Sequence, residues 1–211
     1  MYPVTLDVRD RLCVVVGGGN VAARKVESLL EAGARVCVVA PELCAALERL
    51  AADGTIEHRK RPYAPGDLDG ALLVISGTDD RPTNERVSRD ATARGMLVNV
   101  VDVPDLCMFQ VPASIRRGSL LITISTGGKS PALSRRIREQ LETAFGPEYA
   151  AFIDLLGELR GEVKERIASQ GERQRVWEQI LDSGALALIR AGRADEARRL
   201  AGRIVDRHVG E

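Results

Sequence analysis

Apolar residues in the first hundred positions fall into short runs separated by stretches of helical spacing. Residues 12–16 read Leu-Cys-Val-Val-Val and run into three glycines, the pattern of a strand buried on both faces of a parallel sheet. Over 21–32, Val21, Ala22, Val26, Leu29 and Leu30 recur on one helical face, and Gly33 supplies the stop. Residues 36–40 predict a second strand, with Pro41 suited to the first turn of a following helix. A third, weaker strand is expected over 56–60, before a loop containing Pro and Gly that runs to Gly70. Residues 72–76 predict a fourth strand, 82–94 a helix closed by Gly95, and 97–101 a fifth strand. Residues 3–8 predict one further strand ahead of the first. Strands alternating with helices at these intervals imply an α/β fold with a parallel sheet covered on both faces.

After Asp102 the pattern changes. Residues 109–115 and 119–125 predict a hairpin around Arg116-Arg117-Gly118. Ser130 then reads as an N-cap and Pro131 as the first residue of a helix that runs to 145. Beyond Gly146-Pro147 the chain is amphipathic helix throughout, with breaks expected near Gly171, Gly184 and Gly192. The expected division is 1–112 as a sheet domain, 113–145 as a small α+β domain and 146–211 as a helical region.

Composition narrows the class of partner. Thirty basic and thirty acidic residues cancel, so no polyanion is predicted from net charge. Three Phe, three Tyr and one Trp are few for a surface that stacks bases, and nucleic acid is not expected. The charged first eleven residues do not read as a signal peptide, and no apolar run approaches membrane-spanning length. Cys13, Cys37, Cys44 and Cys107 show no metal-binding spacing, and Cys13 and Cys37 sit in apolar runs as buried reduced thiols do. A cytoplasmic protein is expected.

The chemistry begins at Gly17-Gly18-Gly19-Asn20-Val21-Ala22, which follows a predicted strand and opens a predicted helix. In that context Gly17 permits the tight turn, Gly19 admits a pyrophosphate to the backbone, and Ala22 allows close helix–strand packing. The amides of the helix N-terminus face the phosphates. A Rossmann-like dinucleotide site follows. Glu42, just after the second strand, suits the adenosine ribose and opposes a 2′-phosphate, which favours NAD over NADP. Glu42 equally fits an acid in the first turn of a helix. Thr78, in Ser76-Gly77-Thr78-Asp79-Asp80, is placed to line the nicotinamide half, and Asp102 closes the fifth strand at the ligand-binding edge. By position alone, a solvated strand-end residue is the better reading of Asp102.

Five ordered motifs then converge on one family. Residues 14–25 (Val-Val-Val-Gly-Gly-Gly-Asn-Val-Ala-Ala-Arg-Lys), Thr78-Asp79-Asp80 with Asn84, Asn99-Val100-Val101-Asp102, Ser125 to Pro131, and Gly171 to Arg175 ahead of Trp177 resemble the siroheme-synthase dehydrogenase family over essentially the whole chain. The resemblance implies NAD-dependent oxidation of precorrin-2 to sirohydrochlorin on the route to siroheme. It implies a Rossmann domain, a small dimerisation domain at 113–145 and a helical tail, assembled as a homodimer. Some members also insert ferrous iron. The methyltransferase module of the fused enzymes is not expected here. By the same resemblance Asp102 matches the essential aspartate, and Asn20-Val21 and Pro41-Glu42 match the cofactor contacts.

The implied substrate is a polycarboxylate, which needs local positive charge. Arg116, Arg117, Lys129 and Arg135 lie in a basic stretch that also holds Arg136 and Arg138, against Glu139 and Glu142. The competing reading is a set of solvated surface residues. His58 and His208 lack partners at metal-ligand spacing, so no resident metal is expected and iron insertion stays open. Two rivals remain: an NAD-sensing regulatory domain without catalysis, and a chelatase that has lost oxidation.

Overall fold

The computed structural model describes residues 1–209. The chain divides into a first unit, Met1–Val111, and a second that begins at Pro112.

The first unit is built on five parallel strands: β1 (Leu12–Val16), β2 (Arg35–Val39), β3 (Glu57–Arg59), β4 (Leu73–Ser76) and β5 (Leu97–Val100). They lie in the order β3-β2-β1-β4-β5. β1 pairs with β2 from Leu12↔Arg35 to Val16↔Val39, and on its other side with β4 from Cys13↔Leu73 to Val16↔Ser76. The strand order therefore reverses at β1, and its carboxyl end is the switch point where open α/β sheets bind ligands.

Alternate side chains of each strand face opposite sides, and both sides are covered. On one, Cys13, Val15, Val38 and Ile75 pack with Val26 of helix α1 (Asn20–Glu31) and Leu47 of helix α2 (Ala45–Ala52). On the other, Val14, Val39, Val74 and Val98 pack with Val87 of helix α3 (Arg81–Ala93) and with Leu68. Each fully buried Val or Leu contributes about 1.5–3 kcal/mol, so these continuous β-branched runs hold strands too short to persist alone. The burial of Cys13 and Cys37 pushes each thiol up to about 11. All four cysteines are free.

The second unit opens with an antiparallel hairpin, β6 (Ala113–Arg117) and β7 (Leu120–Ile124), in register from Ala113↔Ile124 to Arg117↔Leu120. Helix α4 (Pro131–Ala144) starts as its sequence dictates, with the Ser130 hydroxyl accepting from the Leu133 amide at 3.2 Å and Pro131 in the first turn. Four further helices follow: α5 (Glu148–Arg166), α6 (Gln170–Asp182), α7 (Ala185–Arg190) and α8 (Ala194–Arg207). Leu159 and Val163 of α5, Ile180 of α6 and Ala201 and Ile204 of α8 form their shared core. No helix among the described residues is long and apolar enough to cross a membrane.

Several local expectations are corrected. Residues 3–8 form no strand: Tyr2, Val4 and Leu6 are exposed, and Asp7 turns back to bond the Arg9 amide at 3.1 Å. Pro41 does not open a helix, because the chain bends at 41–42 and α2 begins only at Ala45. Glu42 therefore lies outside any first turn. The hairpin starts at Ala113, not at 109, because the Phe109 carbonyl is taken by the Asn99 side chain instead of a strand partner. Gly171 sits inside α6. The break falls just before it, where the Ser169 hydroxyl caps the helix and Arg173 bonds the freed carbonyls of Ile167 and Ala168.

Candidate functional site

The glycine turn is shaped by what surrounds it. Gly17 has φ +121°, and a Cβ there would stand 2.5 Å from the Gly77 carbonyl oxygen. A Cβ on Gly18 would stand 1.9 Å from the Glu42 carbonyl oxygen. These two positions exclude any side chain on the protein's own account. Gly19 differs, since beyond its chain neighbours no described atom lies within 4 Å of where its Cβ would be. The open space over Gly19 is what a phosphate group needs.

Neighbouring strands hold this turn in place. The Gly17 amide donates to the Val39 carbonyl at 3.0 Å, the Gly77 amide to Val16 at 2.8 Å, and the Cys44 amide to Gly18 at 2.7 Å. Gly19 caps α1 with no side-chain hydrogen bond, and the first turn of α1 carries no acidic residue. Uncapped amides at the positive end of a helix are a ready anion site.

A cavity of about 670 Å³ opens here, within the range that holds cofactors. Gly17, Gly18, Gly19, Asn20, Val21, Pro41, Glu42 and Thr78, all singled out in the sequence, line it together. Pro62, Tyr63 and Thr83 are among the other lining residues. The donor set, the open glycine and the size fit a dinucleotide.

Two supporting networks were not foreseen. Ser76, fully buried at the end of β4, donates to Asn84 Oδ1 at 2.7 Å, and Asn84 Nδ2 donates to the Thr78 carbonyl at 2.8 Å. The same loop is tightened by the Asp80 amide on Thr78 Oγ1 at 3.1 Å and by Asp80 capping Thr83 at 3.0 Å. The sequence signal was the motif Thr78-Asp79-Asp80 with Asn84, which did not by itself show the bonds that join them. In the second network, Asp67 is wholly buried and accepts from Arg59 at 3.0 Å, from Arg61 at 2.5 Å and from the Ala64 amide at 2.8 Å. This fixes the loop that presents Pro62 and Tyr63. Burial alone would raise the Asp67 carboxyl, but the Arg61, Ala64 and Arg59 bonds together hold it below the usual carboxylate range.

Asp102 does not line the cavity. It is exposed two residues beyond β5, with its backbone at φ +60°. Val101 connects it to the site: its Cγ2 is 3.7 Å from where a Gly77 Cβ would be, beside Ala22 of α1. Lys25, one turn after Ala22, is half-buried and lies within electrostatic reach of Asp102. Burial and then Arg24 lower its pKa, while Asp102 acts the other way.

The basic stretch of the second unit is less uniform than its sequence. Arg117 is half-buried, and its Nε donates to the Phe145 carbonyl at 3.0 Å. Arg138 pairs with Glu142 at 2.5 Å. Arg116, Lys129 and Arg135 are exposed and have no carboxylate within salt-bridge distance among the described residues. Both histidines are committed to protein partners. His58 Nε2 meets the Ala40 carbonyl at 2.9 Å, and His208 meets Glu172 and Gln179. No group of three or more His, Cys, Asp or Glu gathers as a metal site among the described residues.

Comparison with known proteins gives consistent matches along the chain. Residues 4–113 match a family model described as putative NAD(P)-binding. Residues 117–144 match the sirohaem biosynthesis protein central region, and 148–204 the sirohaem synthase dimerisation region. The dimerisation description thus falls on helices α5 to α8 and not on 113–145. A siroheme synthase of Methylobacillus flagellatus is 42% identical over 196 residues, covering 93% of this chain and 42% of that protein. One of Thioalkalivibrio sulfidiphilus is 43% identical over 197 residues, covering 93% and 40%. The chain therefore spans about two fifths of the length of these curated relatives. A solved structure described as SirC, precorrin-2 dehydrogenase, superposes with a TM-score of 0.77 at 27% identity, covering 96% of this chain and all of that one.

Proposed function

The chain belongs to the putative NAD(P)-binding family over residues 4–113, followed by the sirohaem synthase central and dimerisation regions, and from that premise we propose that it is an NAD-dependent precorrin-2 dehydrogenase of siroheme biosynthesis. The observation that carries this reading is the cavity at the switch point, with Gly19 open beneath it and an uncapped helix N-terminus facing it. Its likeness to a precorrin-2 dehydrogenase over the whole of that protein supports the choice of substrate.

In this reading the amides of Gly19, Asn20 and Val21 bind the pyrophosphate, and Glu42 bonds the adenosine ribose, which favours NAD over NADP. Thr78, held by Asn84 and Asp80, lines the other half. The bound nicotinamide supplies the two-electron acceptor. Conversion of precorrin-2 to sirohydrochlorin also releases a proton, and Asp102, at the end of the next strand, accepts it or orients the macrocycle. The exposed cations Arg116, Lys129 and Arg135 attract carboxylates of the substrate, with Arg117 contributing less because its guanidinium is bonded to backbone. We assign residues 1–112 to the cofactor, the basic stretch within 113–145 to substrate capture, and the helices within 146–211 to homodimer formation. Four free thiols suit a cytoplasmic location. Iron insertion has no residue assigned to it.

The test is Asp102→Ala. It should abolish precorrin-2 oxidation while the NAD dissociation constant stays within about twofold, since Asp102 lies outside the cofactor cavity. Near-normal turnover would remove Asp102 from the mechanism. Failure of the folded wild-type protein to reduce NAD with precorrin-2 would remove the dehydrogenase reading and favour a sensing domain.

A further inference from the structure

Asp102 occupies a backbone conformation that non-glycine residues seldom adopt, and something must hold it there. At φ +60° an aspartate is tolerated, but the conformation persists only where its surroundings over-determine it. The loop around Asp102 is closed by side chains from its two ends. The Cys107 sulfur accepts from the Val100 amide at 3.1 Å. It also stands 3.1 Å from the Val100 carbonyl and 3.3 Å from the Val103 carbonyl, to one of which the thiol donates. One sulfur thus stands against the backbone on both sides of Asp102.

Asn99 completes the closure. It is buried, its Nδ2 donates to the Phe109 carbonyl at 3.0 Å, and the same nitrogen lies 3.5 Å from the Cys107 sulfur. The returning segment is stitched to β5 by the Met108 amide on the Val98 carbonyl at 2.8 Å, and to α3 by Ser88 Oγ on the Leu106 carbonyl at 2.9 Å. Within the loop, the Val103 amide reaches Val100 at 3.3 Å. The strand side of Asp102 is fixed in turn by the Val101 amide on Ser76, the residue that anchors the Thr78 wall.

From this arrangement we infer that Cys107, with Asn99, is a positioning residue for the dehydrogenation, holding Asp102 at the height over the sheet edge that proton transfer or macrocycle orientation requires. The inference rests on the proposed role of Asp102. A thiol suits the task better than a hydroxyl because the longer carbon–sulfur bond lets one atom reach three backbone groups. Removal of the sulfur leaves the β5 sheet bonds in place and frees only the loop. Its effect should therefore fall on turnover more than on cofactor binding.

The experiment compares wild type, Cys107→Ala, Cys107→Ser and Asp102→Ala in two measurements. The first is kcat and KM for precorrin-2 with the NAD dissociation constant. The second is amide hydrogen exchange at Val100 and Val103 without substrate. Cys107→Ala should lose about 10- to 100-fold in kcat, the cost of a displacement of about 1 Å in a reacting group, with NAD affinity unchanged. Cys107→Ser, which keeps a donor and an acceptor, should recover part of that loss and remain measurable if the alanine variant does not fold. Exchange at Val100 and Val103 should quicken in Cys107→Ala. Normal kcat in a folded Cys107 variant, or exchange no faster than in wild type, overturns the inference. If wild type is inactive or Asp102→Ala is as active as wild type, the proposed function fails instead, and the exchange measurement alone then decides whether Cys107 holds the loop.

Discussion

Ser76 and Asn84 share a buried hydrogen bond of 2.7 Å that ties the end of β4 to α3 at the edge of the dinucleotide cavity. Through its other atom, Asn84 Nδ2 on the Thr78 carbonyl at 2.8 Å, the pair sets the backbone of the loop packed against the glycine turn. Asn84→Ala should cost about 1–3 kcal/mol of stability, because the buried Ser76 hydroxyl loses its acceptor. It should also weaken NAD binding. Denaturant unfolding and NAD titration check both effects.

The glycines separate folding from binding. Gly18→Ala should destabilise the fold, since its Cβ would stand 1.9 Å from the Glu42 carbonyl oxygen. Gly19→Ala has no clash within the protein and lies at φ −83°, which alanine accepts freely. Its melting temperature should stay close to wild type while NAD affinity falls at least about tenfold, because the added methyl occupies the phosphate's approach. Calorimetric melting and NAD titration on the same preparations check the pair.

Asp67 makes the stability sensitive to acid. Its carboxyl lies below the ordinary range in the folded state, so its contribution is complete above the unfolded value near ~3.9 and is lost as pH falls through the lower, folded one. Asp67→Asn should cost about 2–3 kcal/mol at neutral pH, a figure reduced from a fully buried pair because Arg61 is half-exposed. It should also flatten the pH dependence below pH ~4. Urea unfolding from pH 7 to pH 3 reads both.

The burial of Cys13 and Cys37, which pushes their thiols up to about 11, makes them poor nucleophiles at neutral pH. In the folded protein a thiol reagent at pH 8 should leave both unmodified, and denaturant should release them. Mass spectrometry after brief labelling checks this.

Much of the first unit was legible because its physics is local. The β-branched runs at 12–16 and 36–39 and the glycines after β1 each announce a structure that neighbouring residues alone determine. Of the lining residues, the glycines, Glu42 and Thr78 followed from that topology, and Asn20, Val21 and Pro41 from the family resemblance. What sequence could not show depends on distant partners. Asp67 reads as a loop residue until Arg59 and Arg61 close on it, and Cys107 reads only as a cysteine without metal-binding spacing until its sulfur meets Val100 and Val103. Residues 3–8 alternate as a strand does, yet pair with nothing in the sheet, because strand formation needs a partner edge as well as a pattern. Arg117 was counted with the free cations, but a backbone carbonyl 28 residues away takes its guanidinium.

The most direct test of the central claim is NADH formation by the purified chain mixed with NAD and precorrin-2, followed by absorbance alongside the appearance of sirohydrochlorin. The account predicts one NADH for each precorrin-2 oxidised, with turnover lost in Asp102→Ala while NAD still binds. Folded protein that binds NAD and yields no NADH from precorrin-2 would contradict it.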